Sequence, residues 1–142
     1  MSTRAHPHAE ARRFALDILF QADVRGERIT DAMADWIADD RDVPDFAQEL
    51  VLGVSTHLDE LDELIGAYAQ EWTVDRMAAV DRTILRLATF ELLYRPDVPP
   101  SAAISEAVVA AKELSTEDSG RFVNGILGHI ARERAATSEH EA

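Results

Sequence analysis

Apolar positions recur along this chain at spacings of three and four residues. Over residues 9–24, AEARRFALDILFQADV, Phe14 and Ile18 fall in line, while Ala15, Leu16, Leu19 and Phe20 widen the same side. This is the period of an amphipathic helix. Arg25-Gly26 marks its end, because glycine accepts the left-handed conformation that closes a helix. A second helix crosses Met33, Trp36 and Ile37, with Thr30 or Asp31 as the expected cap. After the acidic connector DDRDVP, Pro44 fits the first turn of a third helix, where its missing N–H breaks no bond. Phe46, Leu50, Val51 and Val54 line the core side of that helix, which also contains Gly53. The fourth segment, LDELDELIGAYAQEW, aligns Leu58, Leu61, Leu64, Ile65 and Tyr68, and its many acids read as a solvated face.

The stretch EWTVDR interrupts the pattern and predicts a seam between two halves. The strongest helix follows, DRMAAVDRTILRLATFELLYR. Met77, Val80, Ile84, Leu87 and Ala88 form one stripe on it, and Leu85, Leu92 and Leu93 a second. Apolar residues on more than one side predict a central helix packed by several neighbours. Three prolines in RPDVPPS stop it. Residues 102–114 place Ile104, Ala107, Val108, Ala111 and Leu114 on one face, and STEDS supplies caps for a last helix over 118–134. The tail 135–142 is small and polar and is expected to fray. No segment alternates with period two. The expected fold is all-α: one domain over 1–142, a compact bundle of about seven helices in two halves, near 9–70 and 75–134.

One dipeptide disagrees with its surroundings. Asn124-Gly125 is a hairpin-turn signal, yet Val123, Ile126, Leu127 and Ile130 continue a helical face through it. Glycine inside a helix costs about 1 kcal/mol against alanine, so a close helix approach is the expected return. Phe122, Gly125 and Gly128 would form the small edge that docks, either on this chain's own core or on a second copy in a homodimer. Asn124 then serves helix packing or contacts a ligand.

The formal net charge is −13 over 142 residues, unevenly distributed. Residues 1–26 hold four arginines against three acids, whereas residues 27–71 hold two arginines against thirteen acids. Such a chain repels phosphate at long range, so any nucleic-acid contact needs a local basic patch or a basic partner. There is no cysteine, hence no disulfide and no thiolate metal site. No apolar run is long enough for a bilayer and the N-terminus lacks a signal-peptide core, so a cytoplasmic location away from membranes is expected.

Catalytic constellations are missing. There is no phosphate-binding G-x-x-x-x-G-K or G-x-G-x-x-G, no H-E-x-x-H and no G-x-S-x-G. No cofactor or metal is expected, and His6-Pro-His8 is a poor site on a terminus. Binding features are present instead. Arg12-Arg13 precede Phe14, with Arg4 upstream, and Arg121-Phe122 repeats the theme on the last helix. Arginine can grip phosphate and an aromatic ring can stack a base, although a solvated helix edge has the same spacing. Glu91 sits among apolar neighbours and requires a partner, either Lys112 or an arginine.

Three motifs bring a resemblance to a known family. VDRTILRLATFEL, ISEAVVAAK and FVNGIL are similar to the C-terminal half of the NusB antitermination factors, and ARRFALDILFQAD to their opening helix. Residues 27–72 share mainly the helical pattern. Ser105 stands where asparagine is common in the family and Gly128 where an acid is common. The resemblance implies an all-helical protein without catalysis. It would pair with the small-subunit ribosomal protein NusE, bind a single-stranded boxA element in nascent RNA, and serve the RNA polymerase antitermination complex. By position, it implies RNA contacts at Arg12 and Arg13 and at Asp118, Ser119 and Phe122, to which the arginine pattern itself adds Arg4 and Arg121. It implies a partner surface at Asp81 and its helix, including Arg82, while the residue pattern alone reads Glu91, Asn124 and Gly125 as structural. The rivals are a helical protein–protein adaptor, and a detached RNA-binding domain related to that of RNA cytosine methyltransferases.

Overall fold

The computed structural model describes residues 8–39, 41–70 and 72–141, with side chains as far as Ala135. The described residues form seven α-helices and no strand. They are α1 (Ala9–Arg25), α2 (Ile29–Ala38), α3 (Asp45–Thr56), α4 (Leu58–Tyr68), α5 (Ala79–Tyr94), α6 (Pro100–Leu114) and α7 (Glu117–Glu141). A short 3-10 turn at Val74–Arg76 joins α4 to α5.

Local chemistry explains most boundaries. Gly26 adopts φ 67°, and the amide of Glu27 returns to the carbonyl of Ala22 at 3.0 Å, closing α1. Pro100 opens α6. At α7 the Thr116 hydroxyl accepts the backbone N–H of Ser119 at 3.0 Å, an N-terminal cap of the expected kind. Several boundaries differ from the sequence reading. α5 starts at Ala79 rather than Asp75, because Met77 is extended at φ −67° and ψ 150°, which leaves Met77 outside the helix whose stripe it was expected to join. α2 starts at Ile29 without a side-chain cap, which leaves Thr30 and Asp31 inside its first turn. α4 stops at Tyr68, because Gln70 takes a positive φ of 38° and turns the chain away before Trp72. α7 is helical to Glu141 rather than to residue 134, and no glycine or proline stops it there.

α5 is the axis of the molecule. It packs against α1, α3, α4, α6 and α7, and Thr83 to Glu91 include only one residue, Arg86, that is not buried. One continuous core results, with Ile18, Leu50, Val54, Leu61, Ile65, Leu85, Leu127 and Ile130 almost completely enclosed. α3 and α5 cross closely at a glycine. A Cβ on Gly53 would fall 2.0 Å from Cζ of Phe90, so the ring occupies the space that only glycine leaves.

The close approach expected at Gly125 is absent. Val123, Ile126, Leu127 and Ile130 are buried, but Asn124 and Gly125 are exposed, and nothing lies within 4 Å of a Cβ placed on Gly125. The helical turn itself carries positions 124 and 125 to the side opposite the stripe. Gly120 is the buried glycine of α7, facing the Lys112 stem on α6.

Candidate nucleic-acid interface

Arginine side chains of α5 brace the seam between α4 and α5. Arg82, in the first turns of α5, donates from Nη1 to the carbonyls of Val74 at 2.9 Å and Met77 at 3.0 Å. Its Nε and Nη2 bind the carboxylate of Asp23 on α1 at 3.2 and 2.6 Å. Asp23 also receives Arg86, which reaches on to Asp62 of α4 at 2.7 Å. Burial works against the charge of Arg86, but its bonds to Asp62 and Asp23 raise its pKa further. The Arg82 side chain expected at the partner surface is therefore bound within the chain. Its guanidinium is spent inside the chain, and it fixes the turn that carries Asp75, Arg76 and Met77.

That turn faces the start of α7 across a groove of about 490 Å³, within the roughly 300–1,000 Å³ range of sites that take small ligands. Trp72 and Arg76 form one side, Asp118 and Phe122 the other, with Met77, Asp81 and Ser119 toward the floor. Ser119 is buried. Its hydroxyl donates to Oδ2 of Asp81 at 3.2 Å and lies 2.9 Å from Oγ of Ser115. Oδ1 of Asp81 is buried without a partner among the described residues. Burial raises the pKa of Asp81, and the Ser119 bond opposes that shift. Asp118 and Arg121 are exposed and pair with each other at the rim. Phe122 is half-buried and Trp72 is 53% exposed.

The groove thus gathers Asp81, Asp118, Ser119 and Phe122, which the sequence motifs singled out, and places Arg121 at its edge. It also adds Trp72 and Arg76, which periodicity did not reveal because both lie where the helical pattern breaks. A tryptophan and an arginine within EWTVDR, the stretch where the pattern breaks, were the available signal.

Arg12 does not join them. Its Nε lies 3.0 Å from both carboxylate oxygens of Glu91 and its Nη2 lies 2.8 Å from Oε1, and both side chains are almost fully buried. This answers which cation meets Glu91. The guanidinium expected to contact RNA is therefore buried and shared with a carboxylate. α1 turns about 100° per residue, so adjacent arginines face different ways. Arg13 points outward, 46% exposed, and pairs with Glu113 at the end of α6 at 2.8 Å. Arg4 lies outside the described residues.

Between Arg13 and the groove lies a shallow apolar patch. Leu16, Phe20, Val80 and Leu114 surround it, and Phe20 and Leu114 are 40% and 46% exposed. Asp17 borders it, its pKa raised by burial against the opposing charges of Arg13 and Arg41. Val80 and Asp81 are consecutive, so patch and groove meet at the first turn of α5. No group of three metal-ligating side chains occurs among the described residues, and no described helix is long and apolar enough to cross a membrane.

Comparisons with known proteins agree with this architecture. The family model described as the NusB family matches residues 9–132. Transcription antitermination protein NusB of Salinispora arenicola is 48% identical, covering 86% of this chain and 93% of the relative. The same-named protein of Streptomyces griseus is also 48% identical, over 85% and 89%. Among solved structures, NusB of T. maritima superposes with a TM-score of 0.83 at 36% identity over the full length of both chains. A crystal structure of antitermination factors NusB and NusE in complex with double-stranded RNA matches at 0.79 and 28% identity, over 89% of this chain and 96% of that one. With the family model spanning residues 9–132 and a relative 48% identical over most of both chains, the chain belongs to the NusB family.

Proposed function

We propose that this chain is a transcription antitermination factor without catalytic activity of its own. It binds a boxA element of nascent RNA together with ribosomal protein NusE, within an RNA polymerase antitermination complex in the cytoplasm. Relatives that carry the antitermination name, and the likeness to a NusB–NusE–RNA complex, support the reading. The observation that carries it is the groove, in which an exposed indole, a half-buried phenyl ring and an arginine surround buried polar groups. Aromatic faces open to solvent suit unpaired bases, because a duplex keeps its bases stacked on one another.

The apolar patch at Phe20, Val80 and Leu114 suits the protein partner. Asp17 and Asp81 at its borders favour a basic one. Groove and patch adjoin, so RNA and NusE would share one surface and each would strengthen the other's binding by the same factor.

Titrating boxA RNA into the chain alone and into its preformed complex with NusE tests this. The complex is expected to bind more tightly, and equal dissociation constants would refute cooperation. Arg13→Glu is expected to weaken RNA binding and to flatten its salt dependence by about one unit of log–log slope. The open edge at Gly125 is free to meet a second copy of the chain. A folded Gly125→Leu that shifts toward monomer in sedimentation equilibrium would support that contact, and an unchanged association state would remove it.

A further inference from the structure

We infer that Trp72 is a base-stacking residue. Its indole receives one unpaired base of a single-stranded RNA at the groove shared with Phe122, and Arg76 takes the adjoining phosphate. The inference rests on the RNA-binding reading above and assigns that role to two residues outside the helical pattern.

Three observations carry it. The first is exposure without need. Trp72 leaves 53% of its surface in water, while the other tryptophan, Trp36, packs against Phe14, lies under Arg41 and donates its indole N–H to Gln21 at 2.9 Å. Trp72 stacks on no ring among the described residues and adds little to the core. The second is rigidity. The N–H of Trp72 returns to the carbonyl of Ala69 at 3.0 Å after the left-handed Gln70, and Arg82 clamps the following turn through Val74 and Met77. An exposed ring on a braced turn is ready to stack without ordering a loop. The third is charge. Arg76 is exposed and makes no ion pair with the described residues, whereas the two carboxylates of the groove are engaged, Asp118 by Arg121 and Asp81 by Ser119. The groove therefore offers an uncommitted cation beside two aromatic side chains, the combination that single-strand sites use.

The test uses the full chain bound to NusE, with boxA-containing single-stranded RNA and its duplex as probes. In a Trp36→Phe background the only indole is Trp72. Single-stranded RNA is expected to quench its fluorescence, and the duplex to leave it unchanged. Trp72→Ala is expected to bind the single strand about tenfold more weakly with the same salt dependence. Trp72→Phe, which keeps a ring, should restore most of the affinity. Arg76→Ala should instead lower the salt slope by about one unit. If Trp72→Ala binds RNA as tightly as the parent, the inference is overturned while the RNA-binding reading stands. It is overturned equally if Trp72→Ala weakens NusE binding alone, since the groove then receives a protein side chain. If the parent complex itself fails to bind the single strand, the broader reading falls and takes the inference with it.

Discussion

The α1–α5 junction and the groove beside α7 treat charge in opposite ways. At the junction, Arg12 and Glu91 are sealed from water and satisfy one another. Nearby, Arg82 and Arg86 are consumed by Asp23, Asp62 and backbone carbonyls. At the groove, Arg76 and Arg121 stay in solvent, and the carboxylate of Asp81 keeps one buried oxygen without a partner among the described residues. The contrast teaches that a count of arginines does not locate a nucleic-acid site. Most of the cations on α1 and α5 hold helices together, and Arg76, left in solvent without an ion pair among the described residues beside an aromatic ring, is the one open to binding.

The largest effect that would break this contrast is expected at the junction. Arg12→Ala or Glu91→Ala leaves a charge buried alone and should cost about 3–5 kcal/mol, read from urea unfolding. Replacing both by apolar residues, Arg12→Met with Glu91→Leu, should recover most of that loss. If Arg12→Ala is as stable as the parent and loses only RNA affinity, the assignment of Arg12 to the interior is wrong.

The two glycines sharpen the comparison. Gly53→Ala drives a methyl group into the Phe90 ring and should destabilise by about 1–3 kcal/mol. Gly125→Ala meets nothing and should stabilise by up to about 1 kcal/mol. Thermal unfolding of the two variants should move in opposite directions.

The smallest expected effect lies in the groove and depends on pH. The pKa of Asp81 is higher in the folded chain than in the unfolded one, chiefly through burial. Between those two values the folded state holds more protons, so the contribution of Asp81 to stability falls as pH rises through the window. Above the window it stays at its lower level. Asp81→Asn retains an oxygen for Ser119 but carries no charge. The stability of the variant relative to the parent should therefore rise with pH across the window and level off. A difference independent of pH would show that the buried carboxylate titrates as an ordinary one.

Much of the fold was legible in the residues. Every helix was visible as a period of three and four, since side chains on a helix repeat their direction within a few residues. The central place of α5 could be read from its two apolar stripes, and the end of α1 from Gly26. Of the candidate site, Asp81, Asp118, Ser119 and Phe122 were marked through motif resemblance. Trp72 and Arg76 were not, because they stand on a turn without periodicity.

What one stretch of chain determined by itself was therefore the order of the helices, the apolar face of each, the acidity of the first half and the absence of familiar catalytic motifs. These depend on neighbours a few positions apart. Only the tertiary structure decided that Arg12 turns inward to a carboxylate 79 residues away while Arg13 faces water. It also decided that the glycine with a ring against it is Gly53 rather than Gly125, and that Trp72, Asp81 and Phe122 border one groove. The physical reason is common to all three. Burial and pairing depend on which helix arrives from far along the chain, and helical periodicity, which reports only the direction of a side chain, carries no record of what it meets.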